Sequence, residues 1–437
     1  MTEQQIKNEI MQLIDQYHKA KFGNRKFIQG QTSVPVSGKV FDSDELKNIT
    51  ESALDAWFTT GRFNTLFEKS LREFIGVKNL ITTNSGSSAN LLAFASLTDS
   101  SLGDRAIKPK DEIITVAAGF PTTINPIIQY GCVPVFVDIT IPEYQIDVSQ
   151  LKDHLTDKTK AVMLAHTMGN TFDIDTVKKF CEENNLWLIE DCCDALGSTY
   201  NGQHVGTFGD VGTLSFYPAH HITTGEGGAI FTKHNKLKKI IESFRDWGRD
   251  CWCETGVDNT CGKRFSYQLG GLPFGYDHKY TYSRVGYNLK MTDMQASLGL
   301  AQMGKLHRFI SKRKENFQKL RDGLNDLDWL ILPIATQNSD PSWFGFLITI
   351  DPNSEIKRDE IIEFLNKKKI ATRLLFGGDV RKQPYFKSII YKGKECLPNT
   401  EIVMNNTFWI GTTPLIQDEM IQYVIKTLKE IGGSIKL

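Results

Sequence analysis

Between residues 78 and 235 the chain repeats one pattern: a short apolar run, followed in several cases by a stretch of helical periodicity. The runs are "NLITT", "DEIITV", "VPVFVDI", "AVMLAH", "LWLIED", "GTLSFY" and "GAIFTK". Short apolar strands separated by helices define α/β architecture with a mainly parallel sheet. Ligands of such sheets bind outside the carboxyl ends of the strands. Polar residues just beyond these runs are therefore the first candidates for a site.

The flanks read differently. Residues 1–20 and 43–76 have helical patterns, and "FDSDELKNI" offers Asp42 or Ser43 as a cap. Residues 292–330 read as long amphipathic helix. Strand-like "FGFLITI", the helix "KRDEIIEFLNKKK", the segment "ATRLLF" and a last helix "DEMIQYVIKTLKEI" follow. The expected organisation is an N-terminal helical segment (1–54), a large cofactor-binding α/β domain (55–300) and a small C-terminal α+β domain (301–437). A chain of 437 residues, 40% hydrophobic, is long enough for two or three domain-sized cores. Its 51 basic and 51 acidic side chains cancel, which gives no support for nucleic-acid or anionic-membrane partners. The N-terminus lacks the apolar core of a signal peptide, and no apolar run approaches the roughly 18 residues of a membrane span. A cytoplasmic location is expected.

Two segments carry polar groups where a cofactor would sit. "TTNSGSSANLLAF" (82–94) is a strand, a small-residue turn and a helix start. Gly86, Ser87 and Ser88 leave N–H groups free at a helix N-terminus, which favours an anion such as phosphate. The same pattern serves as an ordinary cap. "LWLIEDCCDALGS" (186–198) is a buried-type strand ending in Glu190-Asp191. A carboxylate there can pair with a protonated pyridine nitrogen and keep the ring an electron sink, or it can cap the next helix.

With "SFYPAHHITTGEGG" (215–228), these segments resemble the fold type I, aspartate-aminotransferase-like sugar aminotransferases and dehydratases that act on nucleotide-linked keto-sugars. The likeness covers about residues 55–300 and is looser beyond. "AAGFPTTINPIIQYGCVPVFVDI" and "RVGYNLKMTDMQASLGLAQM" also match in the family's order. The resemblance implies a pyridoxal 5′-phosphate-type cofactor, with Ser87 and Ser88 as phosphate cradle and Ser215 as a side-chain phosphate ligand. It implies Phe120 stacked on the ring and Asp191 on the ring nitrogen. Asn288 resembles the residue that reaches the phosphate of a neighbouring subunit's site, which implies a homodimer.

Where the family has the lysine that holds the cofactor covalently, this chain has His220. Imidazole forms no stable link to the cofactor aldehyde, but it moves protons near neutral pH. The exchange implies pyridoxamine 5′-phosphate held non-covalently, with His220 as the base at its C4′ carbon. The expected reaction is loss of the C3 hydroxyl from a nucleotide-linked 4-keto-6-deoxy sugar, not transamination. His221 is the adjacent alternative, but motif register favours His220. His166, in "AHTMGN", reads as structural or as a substrate-side contact. Asp194, Tyr217 and Arg373 are expected near the substrate; Asp194 departs from the histidine common in the aminotransferases.

Of eight cysteines, Cys251, Cys253 and Cys261 share one polar segment, and 57 residues separate Cys193 from Cys251. Four thiolates suit zinc or an iron–sulfur cluster, and the spacing does not choose between them. The branch of the family that combines the histidine with this spacing carries a [2Fe–2S] cluster. It works with a separate NAD(P)H-dependent iron–sulfur flavoprotein reductase. That resemblance implies Cys193, Cys251, Cys253 and Cys261 as ligands, with Cys192 as rival for the first. It also implies CDP-4-keto-6-deoxy-D-glucose as substrate, on the way to a 3,6-dideoxyhexose of lipopolysaccharide O-antigens. No motif separates CDP from GDP or dTDP. The competing expectations are a GDP-4-keto-6-deoxymannose 3-dehydratase-like enzyme without a cluster, a non-enzymatic sugar-nucleotide regulator, and an aminotransferase using Lys233.

Overall fold

The structure, a computed structural model, describes residues 1–23, 26–253 and 256–435. The seven apolar runs form seven strands: β1 (Asn79–Thr83), β2 (Glu112–Val116), β3 (Val133–Val137), β4 (Thr159–Ala165), β5 (Trp187–Asp191), β6 (Val211–Ser215) and β7 (Gly228–Thr232). They lie in one sheet in the order β1-β7-β6-β5-β4-β2-β3, with the short strand Lys392–Gly393 added beyond β3. The strands are almost entirely buried because helices cover both faces, and this is why they read as unbroken apolar runs. β7 alone is antiparallel to both its neighbours. The reason is its connection: residues 216–227 contain no helix, so the chain turns straight back instead of crossing over. That short return carries His220.

The helix expected over 43–76 is two helices, Ser43–Leu54 and Arg62–Ile75. Asp42 caps the first in a box with Glu45. The second is started from a distance: the Asp293 carboxylate accepts from the N–H groups of Gly61 (3.0 Å), Phe63 (3.1 Å) and Asn64 (2.8 Å). Such a cap cannot be read locally. The helix expected over 292–330 is likewise split, into Asp293–Met303 and Leu306–Leu324. Lys305 at the break is held by Asp42 and Glu45 at 2.6 and 2.7 Å.

The C-terminal part builds a second, smaller sheet from Leu330–Ile331, Gly345–Ile350 and Thr407–Gly411, all antiparallel. Helix Pro398–Asn406, which feeds the last of these strands, was not expected from the sequence. This sheet has its own core around Phe317, Phe346, Phe408 and Ile421. Val34 joins that core from the N-terminal segment and pairs with Lys369 O at 2.8 Å. No helix among the described residues is long and apolar enough to cross a membrane.

Candidate active site

The site lies at the carboxyl ends of β1, β5 and β6. Helix Gly86–Leu97 starts directly after β1, and Ser85 caps it by accepting from Ser88 N–H at 3.0 Å. Ser88 is thus engaged by the cap, while the N–H groups of Gly86 and Ser87 belong to the first turn, which has no intrahelical acceptors. Ser215 closes β6 beside this turn. A Cβ placed on Gly86 would stand 2.4 Å from Ser215 Cβ, so glycine is needed for the approach. A helix N-terminus against a serine hydroxyl is the donor set a phosphate requires. Asn84 Oδ1, buried next to it, has no protein partner.

Asp191 ends β5 with its side chain buried. Its Oδ2 accepts from Asn90 Nδ2 and Thr123 Oγ1, each at 2.7 Å, and its Oδ1 from Cys193 N–H at 3.1 Å. Asn90 is itself oriented by Thr213 at 2.7 Å. The carboxylate is therefore fixed in direction, as a partner for a ring N–H must be. Asn90 and Thr123 were not singled out in the sequence. Both lie within the first five residues of helices that follow strands, and that placement was the available signal. Glu190 faces the other way. Burial would raise its carboxyl, but His166 at 2.9 Å and the N–H groups of Gly209 and Gly206 outweigh it and hold it below the ordinary range. His166 is fully buried and stacked on Phe172 at 4.5 Å, a structural placement.

His220 and His221 divide their roles by burial. His221 is 3% exposed and tied to Ser342 O at 2.6 Å. His220 is partly open, with Nδ1 3.5 Å from Asp194 Oδ1 and the ring 5.2 Å from that of Phe344. Burial, with the Arg313 charge adding to it against the pull of Asp191, lowers His220 to about 4, so the imidazole is neutral and keeps a ring nitrogen free to accept a proton. Burial and the Asp191 charge push Asp194 up to about 7. Arg313, on helix Leu306–Leu324, is fully buried under this loop and was also not singled out.

Phe120 ends the loop after β2, half exposed, with its ring 5.7 Å from Phe376. The segment "ATRLLFGGD" thereby meets "GFPTT", and Asp379 bridges to Ala118. Arg373 pairs through its backbone with Trp409, whose ring packs on Phe344, which in turn touches His220. Tyr217 is half exposed on the His220 loop, and its carbonyl accepts from His220 N–H at 2.9 Å. Asn288 is exposed, one residue before the carbonyl of Leu289 that receives Asn84 N–H at 2.9 Å. Lys233 lies past β7 and bonds Phe208 O at 3.2 Å, in a different pocket with Asp210 and Leu188.

The cysteines separate into a core group and a loop group. Cys192 is fully buried in the core. Cys193 is partly exposed in the turn after β5, and burial with the Asp191 charge raises its thiol well above the ordinary value. Cys251, Cys253 and Cys261 line one small pocket with His278 and Arg264. Their sulfurs accept from the N–H groups of Cys253 (3.5 Å), Thr260 (3.3 Å) and Lys263 (3.4 Å). Cys193 does not line that pocket, and among the described residues no three His, Cys, Asp or Glu side chains are gathered to hold a metal. Three of the four sequence-predicted thiols thus line one pocket without being gathered as a metal-holding group, and Cys193 stands apart from them. Beside Cys251 and Cys253 runs a groove of about 770 Å³ with eight Lys or Arg and four Asp or Glu in its lining.

A mixed sheet with one reversed strand, an anion-binding helix start and a fixed carboxylate at the strand ends define the fold type I α/β class. The sequence profile of the DegT/DnrJ/EryC1/StrS aminotransferase family matches residues 39–429, and the chain belongs to that family. It is 57% identical over 434 residues to lipopolysaccharide biosynthesis protein RfbH of Salmonella typhimurium, covering 99% of each chain. It is 50% identical over 424 residues to dTDP-4-dehydro-2,6-dideoxy-D-glucose 3-dehydratase of Saccharopolyspora spinosa, covering 97% of this chain and 92% of that one. Among solved structures it resembles Escherichia coli GDP-4-keto-6-deoxy-D-mannose-3-dehydratase with bound hydrated PLP. That match has a TM-score of 0.82, 30% identity, and coverage of 90% of this chain and 99% of that one. The phosphate cradle and the oriented Asp191 fit the same type of cofactor here.

Proposed function

We propose that this chain is a pyridoxamine 5′-phosphate-dependent dehydrase that removes the C3 hydroxyl of a nucleotide-linked 4-keto-6-deoxyhexose. The observation that carries the reading is His220: a neutral imidazole, not a lysine, on the return between β6 and β7, within reach of the ends of β5 and β6. Bound here, the cofactor supplies an amine for a keto-sugar and a ring that withdraws electrons. Gly86 and Ser87 N–H groups and Ser215 bind its phosphate. Asp191 holds the ring-nitrogen proton, and Phe120 covers a ring face. His220 takes the proton at C4′, which a neutral imidazole does without first losing a proton of its own. Asp194, Tyr217 and Arg373 border the space left for the sugar.

The finer assignments are part of the same proposal. A [2Fe–2S] cluster on Cys193, Cys251, Cys253 and Cys261 would supply single electrons; the four-thiol spacing and the shared pocket of three support it. The electron donor is an NAD(P)H-dependent iron–sulfur flavoprotein reductase, and the net-basic groove beside Cys251 and Cys253 suits an acidic donor surface. The working unit is a homodimer. Exposed Asn288 and Val285, with Phe58 and Phe274, supply polar and apolar surface for it. The substrate is CDP-4-keto-6-deoxy-D-glucose, and the product leads to a 3,6-dideoxyhexose.

One observation favours a second reading: the described residues gather no metal group. A cluster-free dehydratase that recovers its amine from glutamate fits that. Anaerobic absorption and EPR spectra with iron and sulfide assays decide between them. About two irons and two sulfides per chain, lost in Cys193→Ser, are the result expected for [2Fe–2S] ligation. A cluster-free protein that turns over with glutamate, even after anaerobic reconstitution, establishes the second reading. Assays with CDP-, GDP- and dTDP-linked sugars then identify the nucleotide.

A further inference from the structure

We propose that Arg313 is a positioning residue for His220: it pins the loop that carries the imidazole to the small sheet and sets a fixed positive charge beneath it. The inference rests on the reading of His220 as the base. Arg313 is 1% exposed. Its Nη1 donates to Trp343 O (3.2 Å) and Phe344 O (3.0 Å), and its Nη2 donates to His220 O (3.3 Å). One guanidinium thus ties the β6–β7 return to the entry of strand Gly345–Ile350. Phe344, whose carbonyl it holds, lays its own ring against His220.

The charge is the unusual part. Among the described residues Arg313 forms no ion pair within 4.0 Å, and its Nε is buried without a partner. Asp194 is the opposing charge that acts on it, but from beyond ion-pair contact, and a buried cation with no carboxylate in contact is costly where an apolar side chain would fill the same space. Such a charge marks a functional position when it faces a group whose protonation matters. The charged and titratable groups that face His220 are Asp194 and Asp191 from the end of β5, Arg313 from below, and His221 beside it. Asp191 favours the imidazolium, while burial and Arg313 oppose it. Arg313 therefore offsets the carboxylate that the cofactor requires, and leaves the base neutral next to it.

The test is the titration of His220 itself, read by NMR of histidine-labelled protein in the wild type, Arg313→Met and Arg313→Lys. In Arg313→Met the His220 pKa is expected to rise, and in Arg313→Lys, which keeps the charge, to stay near the wild-type value. Arg313→Lys cannot span three carbonyls, so its kcat is expected to fall about tenfold at unchanged KM. A folded Arg313→Met protein with unmoved His220 titration overturns the proposal. So does Arg313→Lys with wild-type kcat, and this second variant decides if Arg313→Met does not fold. The NMR readout is independent of turnover. An inactive wild type with the predicted titration would sink the dehydrase reading and leave the electrostatic one standing.

Discussion

The end of β5 and the segment from Cys251 to Cys261 both carry chemistry-bearing residues, and they are built in opposite ways. Asp191 is buried at the end of a central strand and held by donors 101, 68 and 2 residues away in sequence. The three loop sulfurs receive N–H donors from two to seven residues away. One site is held before any ligand arrives, because donors from two helices and the turn after β5 converge on a carboxylate at the end of a paired strand. The other is a local loop, and under the proposed cluster its final geometry would be left for the metal to impose.

The largest test of this contrast is Asp191→Ala. It removes the ring partner and leaves Asn90 and Thr123 donors buried without acceptors. Turnover is expected to fall about 10³-fold and unfolding free energy by about 2–3 kcal/mol, read by kinetics and urea melts. A second test is pH. His204 accepts from Gly197 N–H at Nε2 (2.9 Å) and meets Val205 O at Nδ1 (2.6 Å), so a second proton has no place to go. Burial lowers it from 6.5 to about 4. Below pH about 6.5 the unfolded chain gains a proton that the folded chain refuses until about pH 4. Stability therefore falls as pH drops through that window, by up to about 3 kcal/mol for this one group, and His204→Gln flattens the slope.

Gly86→Ala sharpens the contrast further. The added methyl meets Ser215 Cβ, an atom attached to a buried strand that cannot yield. A loss of about 1–3 kcal/mol and weaker cofactor retention are expected, measured by melting and by absorbance after dialysis. The adjacent cysteines give a smaller and cleaner pair. Cys192→Ser puts a hydroxyl into the core and costs about 1–2 kcal/mol without loss of iron. Cys193→Ser is expected to leave the melt within about 0.5 kcal/mol and, under the proposed ligation, to abolish iron content in the iron assay. The smallest effect is expected from chelation of the intact protein, which should move the cooperative melt of the sheet by less than about 0.5 kcal/mol.

The seven strands were legible because each is a short apolar run buried on both faces. The reversal of β7 was not: it depends on a connection without a helix, and the run "GAIFT" looks the same in either direction. The breaks at residues 55–61 and 304–305 were hidden because Asp293 and Lys305 act across more than 200 residues. At the site, the phosphate cradle and Asp191 could be named because they stand at strand ends. Ser85, Asn90 and Thr123 escaped because small polar residues near helix starts are common and only the fold shows what they hold. Arg313 escaped for the opposite reason: on an amphipathic helix an arginine reads as solvent-facing, and this one points inward.

The position of β7 has a consequence for synthesis on the ribosome. β7 is the strand that lies between β1 and β6: its residues pair with Asn79–Thr83 on one side and Val211–Ser215 on the other. Until Thr232 has emerged, the helix start at Gly86 has no Ser215 beside it, and β1 has no neighbour in the sheet. The nascent chain must therefore carry the whole stretch from Asn79 to Thr232, apolar strands included, before the cofactor edge can close, a topology that folds slowly and exposes its edges meanwhile. The proposed phosphate site needs both Gly86 and Ser215, so it is complete only when that edge has closed.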